Sequence, residues 1–106
     1  MDKIKKRGER FGALVGAELK GAIVAQGMTA AVVARTIGIE AATLSRYMNG
    51  HRLMPVATLV DAAECIGLEP AVLVARAWER LQREYPQDAA TAKADAPTPV
   101  WTTGEN

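Results

Sequence analysis

Apolar residues in the first quarter of the chain recur in steps of three and four: Phe11, Leu14, Val15, Leu19, Ala22 and Ile23. That spacing predicts an amphipathic helix over about 9–26, closed by Gly27. Its interior glycines, Gly12, Gly16 and Gly21, each cost roughly 1 kcal/mol relative to alanine, so the helix depends on packing or frays at its first turns. Thr29 is a good N-cap for a second helix over 30–37, with Val33, Ala34 and Ile37 inward. Gly38 can take positive φ and turn the chain sharply, with Ile39 as a buried pivot. A third helix over 40–49 puts Leu44, Tyr47 and Met48 near the core and stops at Gly50. The loop "HRLMP" leads to Pro55, which disfavours helix at Met54 and sets up a helix start. A fourth helix over 56–66 turns Leu59, Ala62, Ala63 and Ile66 inward and is capped by Gly67. Pro70 opens a fifth over 70–85, striped by Leu73, Ala77, Leu81 and either Val74 or Trp78, and Pro86 ends it.

Beyond 86 the periodicity disappears. "PQDAATAKADAPTPVWTTGEN" carries three prolines and many Ala and Thr residues, and is expected to be a disordered tail. The chain therefore divides into one folded domain, 1–85, and a tail, 86–106. A composition with 49% hydrophobic but only 5% aromatic residues favours small, close-packed helices over a β-sandwich. The expected class is all-α, with five helices.

Charge changes the picture where composition does not. The net charge is +1, yet residues 1–56 hold nine Lys/Arg against four Asp/Glu, and residues 57–106 hold four against eight. A basic front half and an acidic back half suggest one face that meets an anion. A single cysteine, Cys65, excludes an intramolecular disulfide, and with one histidine, His51, a zinc site lacks ligands. Cys65 reads as a small core residue. No signal-peptide or membrane-spanning run is present, so the expectation is a cytoplasmic protein without a membrane partner. No nucleophile stands paired with a base, which points away from an enzyme, a cofactor or a small-molecule substrate.

Two short helices joined by a glycine turn inside an all-helical core define a helix-turn-helix. The segment "MTAAVVARTIGIEAATLSRYMNGHRLMPVATLVDAAECIGL" resembles the XRE family, the lambda-repressor/Cro type of helix-turn-helix domain. The resemblance runs over about residues 14–75. It is carried in order by Thr29, Ala34, Gly38, "TLSRYMNG", Pro55, "TL" at 58–59, Ala63 and "IGL" at 66–68. Several of these have their own physical reason. Ala34 must be small where two helices cross, and Ile37, Ile39 and Leu44 fill the wedge between them.

The resemblance implies that helix 40–49 enters the major groove. Position by position, base contacts fall to Ala41, Ala42, Ser45 and Arg46, with Glu40 at the helix entry. Arg46, the only long donor, is suited to guanine O6 and N7, and the alanines to thymine methyls. Backbone contacts fall to Thr29, Thr43, Asn49, His51 and Arg52, with Arg35 and Lys20 adding charge nearby. Two departures stand out. Ala30 occupies a place where the family usually has glutamine, and Ile23 with Met48 replaces a frequent Arg–Glu pair.

Each feature also has a plainer reading. Arg46 taken alone is an ordinary solubilising residue, Ala41 and Ala42 are good helix formers, and His51 is a loop residue. The basic run Lys3, Lys5, Lys6, Arg7 and Arg10 is either a solvated helix end or an arm along the phosphate backbone. Taken together, the features lead to the expectation of a sequence-specific DNA-binding transcriptional regulator, phage- or prophage-like in size. It is expected to bind double-stranded operator DNA as a homodimer through Leu73, Val74, Trp78 and Leu81. The alternative is a protein-interaction module on the same fold: antitoxin-like, an anti-repressor or a polymerase-contacting adaptor. Trp101 in the tail is either incidental or an anchor for a protein partner.

Overall fold

A computed structural model of the chain describes residues 2–86, so the expected tail after Pro86, with Trp101, lies outside the described residues. Among the described residues the chain forms five helices and no strand. These are α1 (Asp2–Ala25), α2 (Ala30–Ile37), α3 (Ala41–Met48), α4 (Val56–Cys65) and α5 (Pro70–Glu84). The all-α, five-helix class read from the sequence is the class observed.

α1 is the spine of the fold: it lies along α5 and crosses α3, while α2 packs against both α3 and α4. The core is the set that the periodicity picks out. Leu14, Leu19, Ile23, Val33, Leu44, Leu73 and Leu81 are fully buried, and Ala22, Ala34, Ala62, Ala63 and Ala77 keep the helices close. Among the described residues no polar or charged residue is buried. Val74, rather than Trp78, completes the inner stripe of α5, packing half-buried on the core while Trp78 is 43% exposed. Cys65 is half-buried against the same core.

Helices α1 to α4 all end in one arrangement. Gly27, Gly38, Gly50 and Gly67 stand at φ of 72°, 84°, 77° and 79°, the left-handed region that a Cβ makes costly. The residue after each glycine donates its amide to a carbonyl five positions back: Met28 to Ile23, Ile39 to Ala34, His51 to Arg46 and Leu68 to Ala63, at 2.9–3.0 Å. The glycine amide itself donates three positions back. This is the Schellman closure, which satisfies carbonyls that a helix end would otherwise orphan.

Two features depart from the sequence expectation. α1 begins at Asp2, about two turns earlier than the apolar period suggests, and Arg7 in this added stretch lies over Trp78 of α5. Gly16 is also more than a weak point. A Cβ there would lie 2.3 Å from the Tyr47 carbonyl oxygen and 3.1 Å from the Met48 Cα. α1 and α3 thus cross backbone to backbone, and only glycine fits between them.

Candidate nucleic-acid interface

α3 is placed by its inner side: Leu44 and Met48 are buried, and Gly16 lets the helix seat directly on α1. Residues four apart share a helix face, so Ala41, Ser45 and Asn49 form one row and Ala42 and Arg46 the adjacent row, both away from buried Leu44 and Met48. Ala41, Ala42, Arg46 and Asn49 are exposed, and Ser45 and Thr43 are half-buried at the edge of the face. Glu40 is the N-cap of α3 but makes no side-chain capping bond.

α2 opens with a cap. The Val32 amide donates to the Thr29 hydroxyl oxygen at 3.2 Å, which leaves the first amides of α2 unpartnered, with no acidic residue in that turn. Such a helix start favours an anion through its free N–H groups and its dipole. Arg35 follows, exposed, in the last turn of the same helix. Beyond α3, the amides of His51 and Arg52 both donate to the Arg46 carbonyl oxygen, at 2.9 and 3.3 Å. The closing turn therefore holds the backbone of these three residues together, all with exposed side chains.

A bonded chain of side chains ties this face to α1. Lys20 Nζ donates to Asn49 Oδ1 at 3.1 Å, and Asn49 Nδ2 donates to Ser45 Oγ at 3.1 Å. Sequence spacing gives no sign of the first link, which joins positions 29 apart. A shallow groove of about 610 Å³ adjoins it, lined by Ala13, Ala17, Gly21 and Val24 and closed at one side by Met48 and Asn49. Ile23 and Met48, where a charged pair is frequent in the resembled family, are both buried in the core. Such apolar replacement of an ion pair can be neutral or stabilising.

The ion pairs lie elsewhere. Among the described residues they join α1 to α5: Arg10 Nε to Glu84 Oε1 at 2.7 Å, and Arg80 Nη1 to Glu18 Oε2 at 3.1 Å. The hydrogen bond from Arg10 holds the Glu84 carboxyl below its usual range, and the same bond raises the Arg10 guanidinium. Arg7 donates to the Tyr85 carbonyl oxygen and lies 5.5 Å over the Trp78 ring. Trp78 in turn meets Phe11 edge-on, with centroids 6.0 Å apart. Arg7 and Arg10, expected as part of a solvated end or an arm, are thus engaged with α5. Arg35, Arg46, His51 and Arg52 form no ion pair among the described residues.

The four residues expected to share a dimer surface do not share one. Leu73 and Leu81 are 0% and 1% exposed inside the core, and Val74 is half-buried, which leaves Trp78 as the outward member. The spacing 73–77–81 marks the inner face of α5, and the stripe is already spent on the monomer.

A family model described as a helix-turn-helix domain matches residues 14–77, more than half of the 106-residue chain. No curated protein and no solved structure matches it. Among the described residues no helix is long and apolar enough to cross a membrane. With the capped α2, the glycine turn and the outward face of α3 in place, the chain belongs to the helix-turn-helix domain family, of the XRE/Cro-like type, whose members bind DNA.

Proposed function

We propose that the protein is a sequence-specific transcriptional regulator of the phage- or prophage-repressor kind, binding operator DNA as a homodimer with α3 in the major groove. The observation that carries this is the grouping of exposed basic side chains around α3. Among the described residues Arg46, His51 and Arg52, held together by the turn that closes α3, are exposed without ion pairs, and Arg35 on the neighbouring α2 is too, whereas Arg10 and Arg80 are engaged across the α1–α5 seam. Arg46 reads guanine through O6 and N7, while Ser45 and the methyls of Ala41 and Ala42 face the neighbouring base pairs. Thr29, Thr43, Asn49, His51, Arg52 and Arg35 follow the phosphates, and the free amides of α2 take one of them.

With only two alanines and a serine beside Arg46, direct reading is thin, so affinity leans on phosphates and on a second copy. Trp78 and Tyr85, 43% and 49% exposed on the α5 side, would form the surface that a second copy covers. Two half-sites would then lie about one helical turn, roughly 34 Å, apart.

The test is a mobility-shift series across salt, on DNA selected from a random pool. Specific binding gives a steep salt slope, and Arg46→Ala costs about 1–3 kcal/mol and relaxes preference at one base pair. No binding at low salt, with a protein co-purifying instead, would favour the interaction-module alternative. Leu53 and Val56, 62% and 76% exposed beside the loop after α3, are what such a partner would cover.

A further inference from the structure

We propose that Lys20, a residue of α1, sets the hydrogen-bonding polarity of Ser45 and thereby selects which base edge Ser45 pairs with. The inference rests on the DNA-binding role of α3 and adds to it a specificity-determining residue outside that helix. Lys20 acts as a positioning residue, through Asn49.

The chain of constraint is short. A lysine ammonium carries three donors and no acceptor, so the Asn49 atom facing it must be the carbonyl oxygen, Oδ1. Lys20 Nζ stands 3.1 Å from that oxygen. The amide group is planar, so fixing Oδ1 on Lys20 turns Nδ2 to the opposite side, where it donates to Ser45 Oγ at 3.1 Å. Ser45 therefore receives a hydrogen bond from Asn49, and its own proton is not spent on that neighbour. The hydroxyl is left as a donor toward the groove.

Without the ammonium, the Asn49 amide is free to turn over. Oδ1 would then face Ser45, take the hydroxyl proton, and leave Ser45 with only lone pairs to offer. The two polarities suit opposite base edges. A donating hydroxyl fits guanine O6 and N7 or thymine O4, whereas an accepting one fits the cytosine N4 amine. Water exchanges readily with these exposed groups in the free protein, but docking on DNA excludes it, and a fixed polarity then matters more. Ser45 is already half-buried.

The experiment selects DNA from a random pool with the full chain and with Lys20→Arg, Lys20→Met and Lys20→Glu, comparing base preference at each position within each variant. Wild type and Lys20→Arg are expected to prefer guanine or thymine over cytosine at one position by roughly two- to tenfold, the worth of one hydrogen bond. Lys20→Met flattens that position. Lys20→Glu, which presents an acceptor and so draws Nδ2 toward itself, inverts it toward cytosine. Normalising within each variant removes the uniform loss of affinity that a changed charge near phosphates brings. If Lys20→Met keeps the preference and only lowers the salt slope by about one, Lys20 is a phosphate contact and the proposal is wrong.

A readout without DNA separates this proposal from the DNA-binding one. In the free protein, nuclear Overhauser contacts from the Asn49 amide protons to the Ser45 β-protons are expected in wild type and lost in Lys20→Glu. Amide protons that instead point toward Lys20 in wild type would overturn the proposal, whatever the DNA experiments give.

Discussion

Four helices close on the same left-handed glycine, yet three of the turns and the fourth serve different ends. After α1, α2 and α4, the bonded pairs are Met28 with Ile23, Ile39 with Ala34, and Leu68 with Ala63. All six side chains belong to the core or pack against it. That is the usual apolar contact of a Schellman closure. After α3 the pair is His51 with Arg46, and both are exposed. The backbone geometry is unchanged while the chemistry carried on it is reversed. One device thus does two jobs: in three places it folds chain back onto the core, and in one it presents polar groups outward. Backbone closure holds that fourth turn without an apolar pair, assisted by its fit against α1, where a Cβ on Gly50 would approach the Ala13 Cβ at 3.1 Å.

This contrast can be broken from either side. The largest effect is expected at an apolar turn: Ile23→Ala removes a fully buried side chain and should cost about 2–5 kcal/mol in urea denaturation, with the spread set by how far the site collapses. Installing the apolar arrangement in the odd turn, through Arg46→Met with His51→Leu, should leave stability within about 0.5 kcal/mol. It should weaken DNA binding by about 1–3 kcal/mol in mobility shifts. A large stability change there would mean that the polar pair supports the fold. Smaller again is the conformational cost of the turn itself. Gly67→Ala, with open space around it, should cost about 1–2 kcal/mol from its positive φ alone, leaving DNA affinity per folded molecule untouched. Gly50→Ala should cost more, because strain against Ala13 adds to the same φ, and should lower DNA affinity as well. Equal effects from the two alanine variants would erase the distinction between the turns.

The smallest effect belongs to the seam between α1 and α5. Glu84, lowered by its bond from Arg10, adds stability that is present above the ordinary carboxylate range and is lost as pH falls through the lowered folded value. Glu84→Gln should therefore lower the melting temperature slightly at neutral pH and have no effect in acid. The pair is largely exposed, so salt should weaken it too.

Much of this was legible in residue order because the deciding interactions are local. Thr29 reaches three positions along, the capping glycines and the residues after them reach three to five back, and Leu44, Leu59 and Leu73 announce themselves by period. What the sequence hid depends on residues far apart. The early start of α1 brings Arg7 to the Tyr85 carbonyl, 78 positions away. Gly16 looks like a flaw until the Tyr47 carbonyl comes to rest against it. The stripe Leu73, Val74, Trp78 and Leu81 mixes two faces, and only tertiary packing shows that Leu73 and Leu81 belong inside. On the interface, exposure of Ala41, Ala42 and Arg46 follows from position, whereas the link from Lys20 through Asn49 to Ser45 follows only from α1 lying beside α3.

The crossing at Gly16 has a further consequence for how tightly operator spacing would be policed. With backbone touching backbone, no side-chain rotamer lies between α1 and α3 to absorb a tilt, so the two helices move as one piece. For a dimer joined through the α1–α5 side, the separation and angle of the two α3 helices would be a stiff property of the assembly. One base pair inserted between half-sites turns the second by about 34°. A stiff frame cannot follow that rotation, and the misplaced half-site would be met by one subunit alone.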